Sequence, residues 1–377
     1  MRKSLCLFVV LLLILTLPIN ASAQDVNLSI LSPSVILVEK TTGEILYEKN
    51  PDEVMRPASV TKIMTLILIM EALENGQFDL DDIVTASAHA TSMGGSQVYL
   101  KEGEQMTVDE MLKCIVISSA NDACVAMAEF VSGSVQEFVL RMNEKAKELG
   151  MSNTNFVNCT GLEADGHLTT ARDISVMSRE LLKYDMIKKY TTVWMDTIRN
   201  GEFGLTNTNK LIRFYEGATG LKTGYTAQSK YCISATAQKN GMELIAVVMA
   251  ANTIDERSDD AKALLNYGFS KYSLYFVDNL QIDSVKVLKG KNIAITPVME
   301  NDLKIVVEKK KENQVKCQIN LASDVMAPVT QGQKLGEIIV TCDGKEIAKT
   351  NLISPENIEK ATFKEVFLKM LNYFLIF

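Results

Sequence analysis

Arg56-Pro-Ala-Ser-Val-Thr-Lys-Ile-Met-Thr65 decides how this chain is read. It contains Ser59 and Lys62, the only Ser-x-x-Lys in the sequence. Directly behind it run Ile63, Met64, Leu66, Ile67, Leu68, Ile69 and Met70, apolar on every face. A helix that is apolar all round has to be buried. Pro57 suits its first turn, where a missing N–H costs nothing, and Gly76 is the expected stop. Spacing of i and i+3 sets Ser59 and Lys62 on one helical face. A hydroxyl beside an amine, held partly out of water, is the arrangement of an activated nucleophile. Ser-x-x-Lys alone is a weak signal, so its meaning depends on the rest of the chain.

Length and composition set bounds. A chain of 377 residues, 47% of them apolar, implies about two domains with a sizeable core. The formal charge of −7, without a long basic run, excludes nucleic acid as the expected partner. The two histidines are His89 and His167, and no Gly-x-Ser-x-Gly elbow accompanies them. No paired His/Cys spacing points to a metal, so no cofactor or metal site is expected.

The first 23 residues, 1–23, read as a signal peptide. Arg2 and Lys3 form the charged start, Leu5 to Leu17 the apolar stretch, and Ala21-Ser22-Ala23 the cleavage site, placing the mature start at Gln24. The alternative is an uncleaved anchor, for which the apolar run is short; sequencing the mature N-terminus separates the two. Six cysteines remain after cleavage: Cys114, Cys124, Cys159, Cys232, Cys317 and Cys342. An exported chain permits disulfides. Cys114, Cys124, Cys232 and Cys317 nevertheless sit inside apolar patterns, so mostly free, buried thiols are expected.

Taken in order, Ser34 to Glu39 and Glu44 to Glu48 read as strands around a turn at Lys40 to Gly43. The Ser59 helix follows, then a short extended piece at Leu80 to Val84 and a polar, Gly-rich loop, Thr91 to Ser96. Thr107-Val-Asp-Glu110 is a capping box opening a helix to about Ile117. Ser118-Ser-Ala-Asn121 interrupts it before a second helix, Asp122 to Val131; further helices are expected over Val135 to Leu149 and Thr169 to Leu182. Strand signals return at Lys222 to Thr226. Tyr231 to Gln238 and Glu243 to Ala250 flank Lys239-Asn-Gly241, a strong hairpin turn. Asp259 to Phe269 is the closing helix. Strands at both ends with helices between imply an α+β fold, one antiparallel sheet faced by a helical cluster. The expected catalytic domain is 24–278. Short β runs over Ile282 to Ile353 then imply a small all-β domain, 279–358. In the tail, 359–377, Phe363, Val366, Phe367, Met370, Leu371, Phe374 and Leu375 share a helical stripe beside Lys360, Lys364 and Lys369. This reads as an amphipathic helix lying in a membrane surface; packing on the β domain is the alternative.

Three motifs occur in a fixed order: Ser59-Val-Thr-Lys62 at a helix mouth, Ser119-Ala-Asn121 at a helix break, and Lys222-Thr-Gly224 at a strand start. Here the sequence resembles the serine penicillin-recognising enzymes, which carry Ser-x-x-Lys, Ser-x-Asn and Lys-Thr-Gly in this order. The wider wording of residues 56–65 and Gly220-Leu-Lys-Thr-Gly-Tyr-Thr226 is similar to one branch, the serine-type D-alanyl-D-alanine carboxypeptidases or low-molecular-mass penicillin-binding proteins. The resemblance covers nearly the whole mature chain. It implies a β-lactamase/transpeptidase-like fold, a substrate that is a peptidoglycan stem peptide ending in D-Ala-D-Ala, β-lactams as covalent inhibitors, a membrane-surface tail and action outside the cytoplasmic membrane.

Chemistry and the resemblance together assign roles. Ser59 attacks the peptide carbonyl and Lys62 takes its proton, which requires a lysine pKa depressed by burial and a second cation. The resemblance puts Lys222 across the cleft as that cation. Ser119 relays the proton to the departing amine; Asn121 orients Lys62 and binds the substrate amide. Lys222 and Thr223 receive the terminal carboxylate. Gly224 lets the strand approach the substrate backbone. The N–H groups of Ser59 and Tyr225 form an oxyanion hole. Arg257, expected just before the closing helix, is a further carboxylate ligand in the resemblance, with a plain surface arginine as its alternative. Asp173 reads as structural, and His167 as solvent-exposed or structural. Two other readings remain. A class A β-lactamase needs an acidic base in a Glu-x-x-Leu-Asn context, but Glu137-Phe-Val-Leu140 is followed by Arg141. A cell-wall binding protein with a decayed site sits poorly with three intact motifs.

Overall fold

The computed structural model describes residues 28–278 and 280–368. Residues 1–30 and 31–377 form separate units, and the sheets, helices and cleft all belong to the second. The expected signal segment lies outside the described residues.

Strand β1 (Ser34–Glu39) is buried along its whole length and forms a hairpin with β2 (Ile45–Lys49). The chain then enters α1 (Lys62–Glu74), whose residues Lys62 to Met70 are all buried. Each fully buried aliphatic side chain here contributes about 1.5–3 kcal/mol, which is why an all-round apolar helix sits at the centre. Around it lie α2 (Val108–Ile117), α3 (Asn121–Ser132), α4 (Val135–Glu148) and α5 (Ala171–Leu181). The capping box opening α2 is present, with Glu110 N–H donating to the Thr107 hydroxyl at 3.2 Å.

Strands β3 (Ala218–Thr226), β4 (Lys230–Lys239) and β5 (Met242–Ala251) complete a five-stranded sheet in the order β2-β1-β5-β4-β3. Every pairing in it is antiparallel. The β4–β5 turn is Asn240-Gly241, with φ of 50° and 80°. Both residues occupy the left-handed region a two-residue hairpin demands, and glycine does so without strain. Helix α6 (Ile254–Lys271) packs on β5 and β4. It begins earlier than the sequence implies, because the Thr253 hydroxyl caps it, accepting from Glu256 N–H at 3.0 Å.

The second region is built from strands. β6 (Tyr272–Val277) pairs with β8 (Leu303–Glu308), while β7 (Val285–Leu288) pairs in parallel with residues 324–326. β9 (Val315–Leu321), β10 (Lys334–Cys342) and β11 (Lys345–Ile353) form an antiparallel sheet with residues 298–299. β6 follows α6 without a break, and among the described residues its strand partner is β8. Residues 363–368 are helical, with Phe363 and Phe367 exposed and their rings stacked at 6.2 Å. The rest of the apolar stripe, from Met370 on, lies outside the described residues.

Candidate active site

Ser59 lies in a short 3-10 turn, Ala58–Thr61, that runs directly into α1. The sequence reading put it in the first turn of the α-helix itself. The tighter turn eclipses residues i and i+3, and Lys62 Nζ stands 3.1 Å from Ser59 Oγ. Lys62 Nζ also donates to Asn121 Oδ1 at 2.6 Å and to the Thr160 carbonyl at 2.7 Å. With its other two contacts met by Asn121 and Thr160, a neutral Lys62 amine would have its lone pair left for the Ser59 hydroxyl.

Ser119 sits at the break between α2 and α3 with φ of 61°. Its hydroxyl is buried and has no hydrogen-bond partner among the described residues, yet it faces the cleft. Such a hydroxyl is in position to bond something that enters. Asn121 opens α3; its Nδ2 donates to the Gly94 carbonyl and its N–H to the Ser96 carbonyl, both at 2.7 Å. The neighbouring Asp122 carboxylate accepts from Val98 and Leu100 N–H. The Gly-rich loop is thus tied to the helix break.

On edge strand β3, Lys222 Nζ donates to the Thr223 carbonyl at 3.1 Å and Thr223 Oγ1 donates to Thr208 Oγ1 at 2.7 Å. Gly224 lies against the nucleophile turn: a Cβ there would stand 2.9 Å from the Pro57 carbonyl and 3.0 Å from Ser59 N. Tyr225 is exposed and stacks on Tyr231 with ring centroids 4.4 Å apart. The Arg257 guanidinium lies 5.9 Å from the Tyr231 ring, and its Nη1 donates weakly to the Cys232 carbonyl at 3.5 Å. Arg257 is inside α6, not before it, and it is buried, so it is no plain surface arginine. Its Nε has no partner among the described residues.

These elements enclose a cleft of about 350 Å³ lined by Ser59, Ser96, Ser119, Thr208, Thr223, Gly224, Tyr225, Tyr231, Ile254 and Arg257. Lys62 and Asn121 do not line it but are tied to lining residues, Lys62 to Ser59 and Asn121 to Ser96, and Lys222 is buried next to Thr223 on β3. Every expected residue thus lines the cleft or is bonded or adjacent to one that does. Ser96, Thr208, Tyr231 and the Thr160 carbonyl were missed, since no local pattern marks a lining residue or a backbone acceptor. No carboxylate lines the cleft among the described residues; Glu137 is exposed at the start of α4.

Electrostatics follow from burial. Lys62 is 0% and Lys222 1% exposed, and leaving two ammonium groups out of water costs several kcal/mol each. Burial lowers the Lys62 pKa, while Cys124, Cys159 and Asp122 oppose the shift. Burial, then the charges of Lys62 and Arg257, hold Lys222 well below the ordinary lysine range. The expected direction for Lys62 stands, with burial as its first cause.

His167 is buried and structural, not exposed: Val157 N–H donates to its Nδ1 at 3.0 Å, and its Nε2 stands 2.8 Å from Thr61 Oγ1. Asp173 is structural, accepting from Asn153 N–H and the Thr154 hydroxyl. All six described cysteines are free; Cys114, Cys124, Cys159 and Cys232 are buried, and Cys317 and Cys342 are half-buried. Cys317 is more open than its apolar surroundings implied, because the β-region sheet is covered less completely. Among the described residues no group of three or more His, Cys, Asp or Glu is placed to hold a metal, and no single helix is long and apolar enough to cross a membrane.

Residues 20–253 match the family described as D-alanyl-D-alanine carboxypeptidase, and residues 269–360 match the penicillin-binding protein 5, C-terminal domain. The D-alanyl-D-alanine carboxypeptidase DacF of Bacillus subtilis is 46% identical over 336 residues, covering 88% of this chain and 86% of its own. Penicillin binding protein 5 from Haemophilus influenzae has a similar structure, with a TM-score of 0.78 at 30% identity over 88% of this chain and 98% of its own. Penicillin-binding protein D2 from Listeria monocytogenes, solved in an ampicillin-bound form, gives 0.60 at 31% identity over 64% of this chain and 99% of its own.

Proposed function

The chain belongs to the D-alanyl-D-alanine carboxypeptidases of the penicillin-binding family, and from that premise we propose that Ser59 is the nucleophile and Lys62 the base of its reaction. It is a hydrolase of cell-wall peptidoglycan metabolism, acting outside the cytoplasm as this family does. The observation that carries the residue assignment is a buried, pKa-lowered Lys62 amine 3.1 Å from the Ser59 hydroxyl.

The substrate is a stem peptide ending in D-Ala-D-Ala. Ser59 Oγ attacks the penultimate carbonyl as its proton passes to Lys62 Nζ. The N–H groups of Ser59 and Tyr225 receive the oxyanion, a stabilisation of about 3–4 kcal/mol per donor in comparable sites. The C–N bond then breaks as the Ser119 hydroxyl hands its proton to the leaving D-Ala amine and takes in exchange the proton that Lys62 had accepted from Ser59. Lys62, neutral again, activates water; the ester is hydrolysed and Ser59 recovers its proton. Thr223, Lys222 and Arg257 hold the terminal carboxylate, whose charge favours keeping these cations protonated in the complex. Asn121 fixes Lys62 and binds the substrate amide, and Gly224 lets the peptide lie along β3. β-Lactams acylate the same serine. Among the described residues no carboxylate lines the cleft, which supports slow release of that adduct over β-lactamase turnover. The exposed Phe363 and Phe367 support a tail that lies on the outer face of the cytoplasmic membrane.

Mass spectrometry of penicillin-treated protein tests the assignment. The adduct is expected on the peptide containing residues 56–65 and is expected to vanish in Ser59→Ala. An adduct elsewhere, or none at all, refutes it.

A further inference from the structure

We propose that His167 is a positioning residue that acts through the Thr61 hydroxyl to fix the Ala58–Ser59 peptide, and with it the Ser59 N–H. The inference deepens the reading above, since it rests on Ser59 as nucleophile and on its N–H as an oxyanion donor.

A chain of hydrogen bonds carries it. Val157 N–H donates to His167 Nδ1 at 3.0 Å, so the ring proton belongs on Nε2. His167 Nε2, 2.8 Å from Thr61 Oγ1, then donates to that oxygen. The Thr61 hydroxyl spends its own proton on the Ala58 carbonyl, at 2.8 Å. Each group has one role, and the relay ends on the carbonyl of the peptide that contains the Ser59 nitrogen.

That peptide needs holding. Ala58 has φ of 48°, a left-handed conformation that is unfavourable for a residue with a Cβ. Gly161 on the loop and Gly224 on β3 close on the peptide from two elements. A Cβ on Gly161 would stand 1.9 Å from the Ala58 oxygen and 2.9 Å from Ser59 N; one on Gly224 would stand 3.0 Å from Ser59 N. These contacts confine the peptide, while the relay sets its rotation. Sequence alone hides the arrangement, because Thr61 and His167 are 106 positions apart.

The relay works only with a neutral imidazole, since a proton on Nδ1 would face the Val157 N–H. The ring is 2% exposed and meets Phe156 edge-on at 5.8 Å. Around it lie Arg56, whose partner is Asp165 at 3.7 Å, and Glu163, which accepts from Gln228 N–H. Burial, then the Arg56 charge, lowers the His167 pKa to about 4.

The test separates binding from acylation, using a fluorescent penicillin and measuring the non-covalent dissociation constant and the acylation rate constant independently. Thr61→Val keeps the shape and removes the hydroxyl. It is expected to slow acylation about 10- to 100-fold, the scale of a sub-ångström misplacement, with non-covalent affinity within about twofold and with recovery in Thr61→Ser. Unchanged acylation in Thr61→Val, or an equal loss in binding and in rate, overturns the proposal. Absence of a Ser59 adduct in the wild type would instead overturn the parent reading. A second measurement uses only the unaltered protein. The sequence has two histidines, so the ¹⁵N signals of the His167 ring are readily assigned. At neutral pH a protonated Nε2 with a bare Nδ1 is expected; the opposite tautomer or an imidazolium overturns the proposal.

Discussion

The two regions of the main unit treat polar groups in opposite ways. Between residues 31 and 271 the interior holds Lys62, Asp122, His167, Lys222 and Arg257, all buried. From residue 272 onward, among the described residues, the buried polar side chains are Thr350 and Ser354. The β region is held instead by small aliphatic clusters around Val285, Leu335 and Ile338. Burying an ion is costly and a strand sandwich does not need it. The contrast therefore places the two buried lysines, whose pKa values burial lowers, in the region that carries the cleft.

The largest effect expected of that contrast is at Lys62. Lys62→Arg keeps a cation but removes any group able to accept a proton, and acylation by penicillin should fall about 10³-fold or more. A wild-type rate in that variant would erase the distinction between the regions. Next comes a cavity in the β region. Ile338 is fully buried on β10, so Ile338→Ala should lower unfolding stability by about 2–5 kcal/mol. Acylation measured well below the melting temperature should stay within about twofold. A matching loss of acylation would show that the β region shapes the cleft. The smallest effect concerns the tail. Deleting residues 360–377 should leave acylation of the soluble protein unchanged and move the chain from the membrane to the soluble fraction. Retention in the membrane fraction would remove the surface-anchor reading.

Much of the fold and the cleft was legible in the sequence, for local reasons. The Thr107/Glu110 box, the Asn240-Gly241 turn and the apolar run behind Lys62 each specify their structure within a few residues. The nucleophile, the helix break and the Lys-Thr-Gly strand were visible as motifs, and they converge on one cleft. What escaped notice depends on distant partners. β6 is recognisable only once β8 pairs with it. The early start of α6 is the exception: Thr253-Ile-Asp-Glu256 is a local cap that the sequence reading passed over, and it places Arg257 inside the helix. His167 looked like a loop histidine because nothing local marks its contact with Thr61, 106 positions away. How deeply the two lysines are buried was likewise unreadable, since burial depth is a property of the folded core.

The most direct test of the central claim is the second-order rate constant for acylation by penicillin as a function of pH, in the unaltered protein. A lysine whose pKa is lowered by burial loses its proton at lower pH than an ordinary side chain. The rate should therefore rise with pH and level off below the usual lysine value of about 10.4. A rate that keeps climbing through that value would mean that Lys62 is an ordinary ammonium in the free enzyme, and would contradict its role as the base.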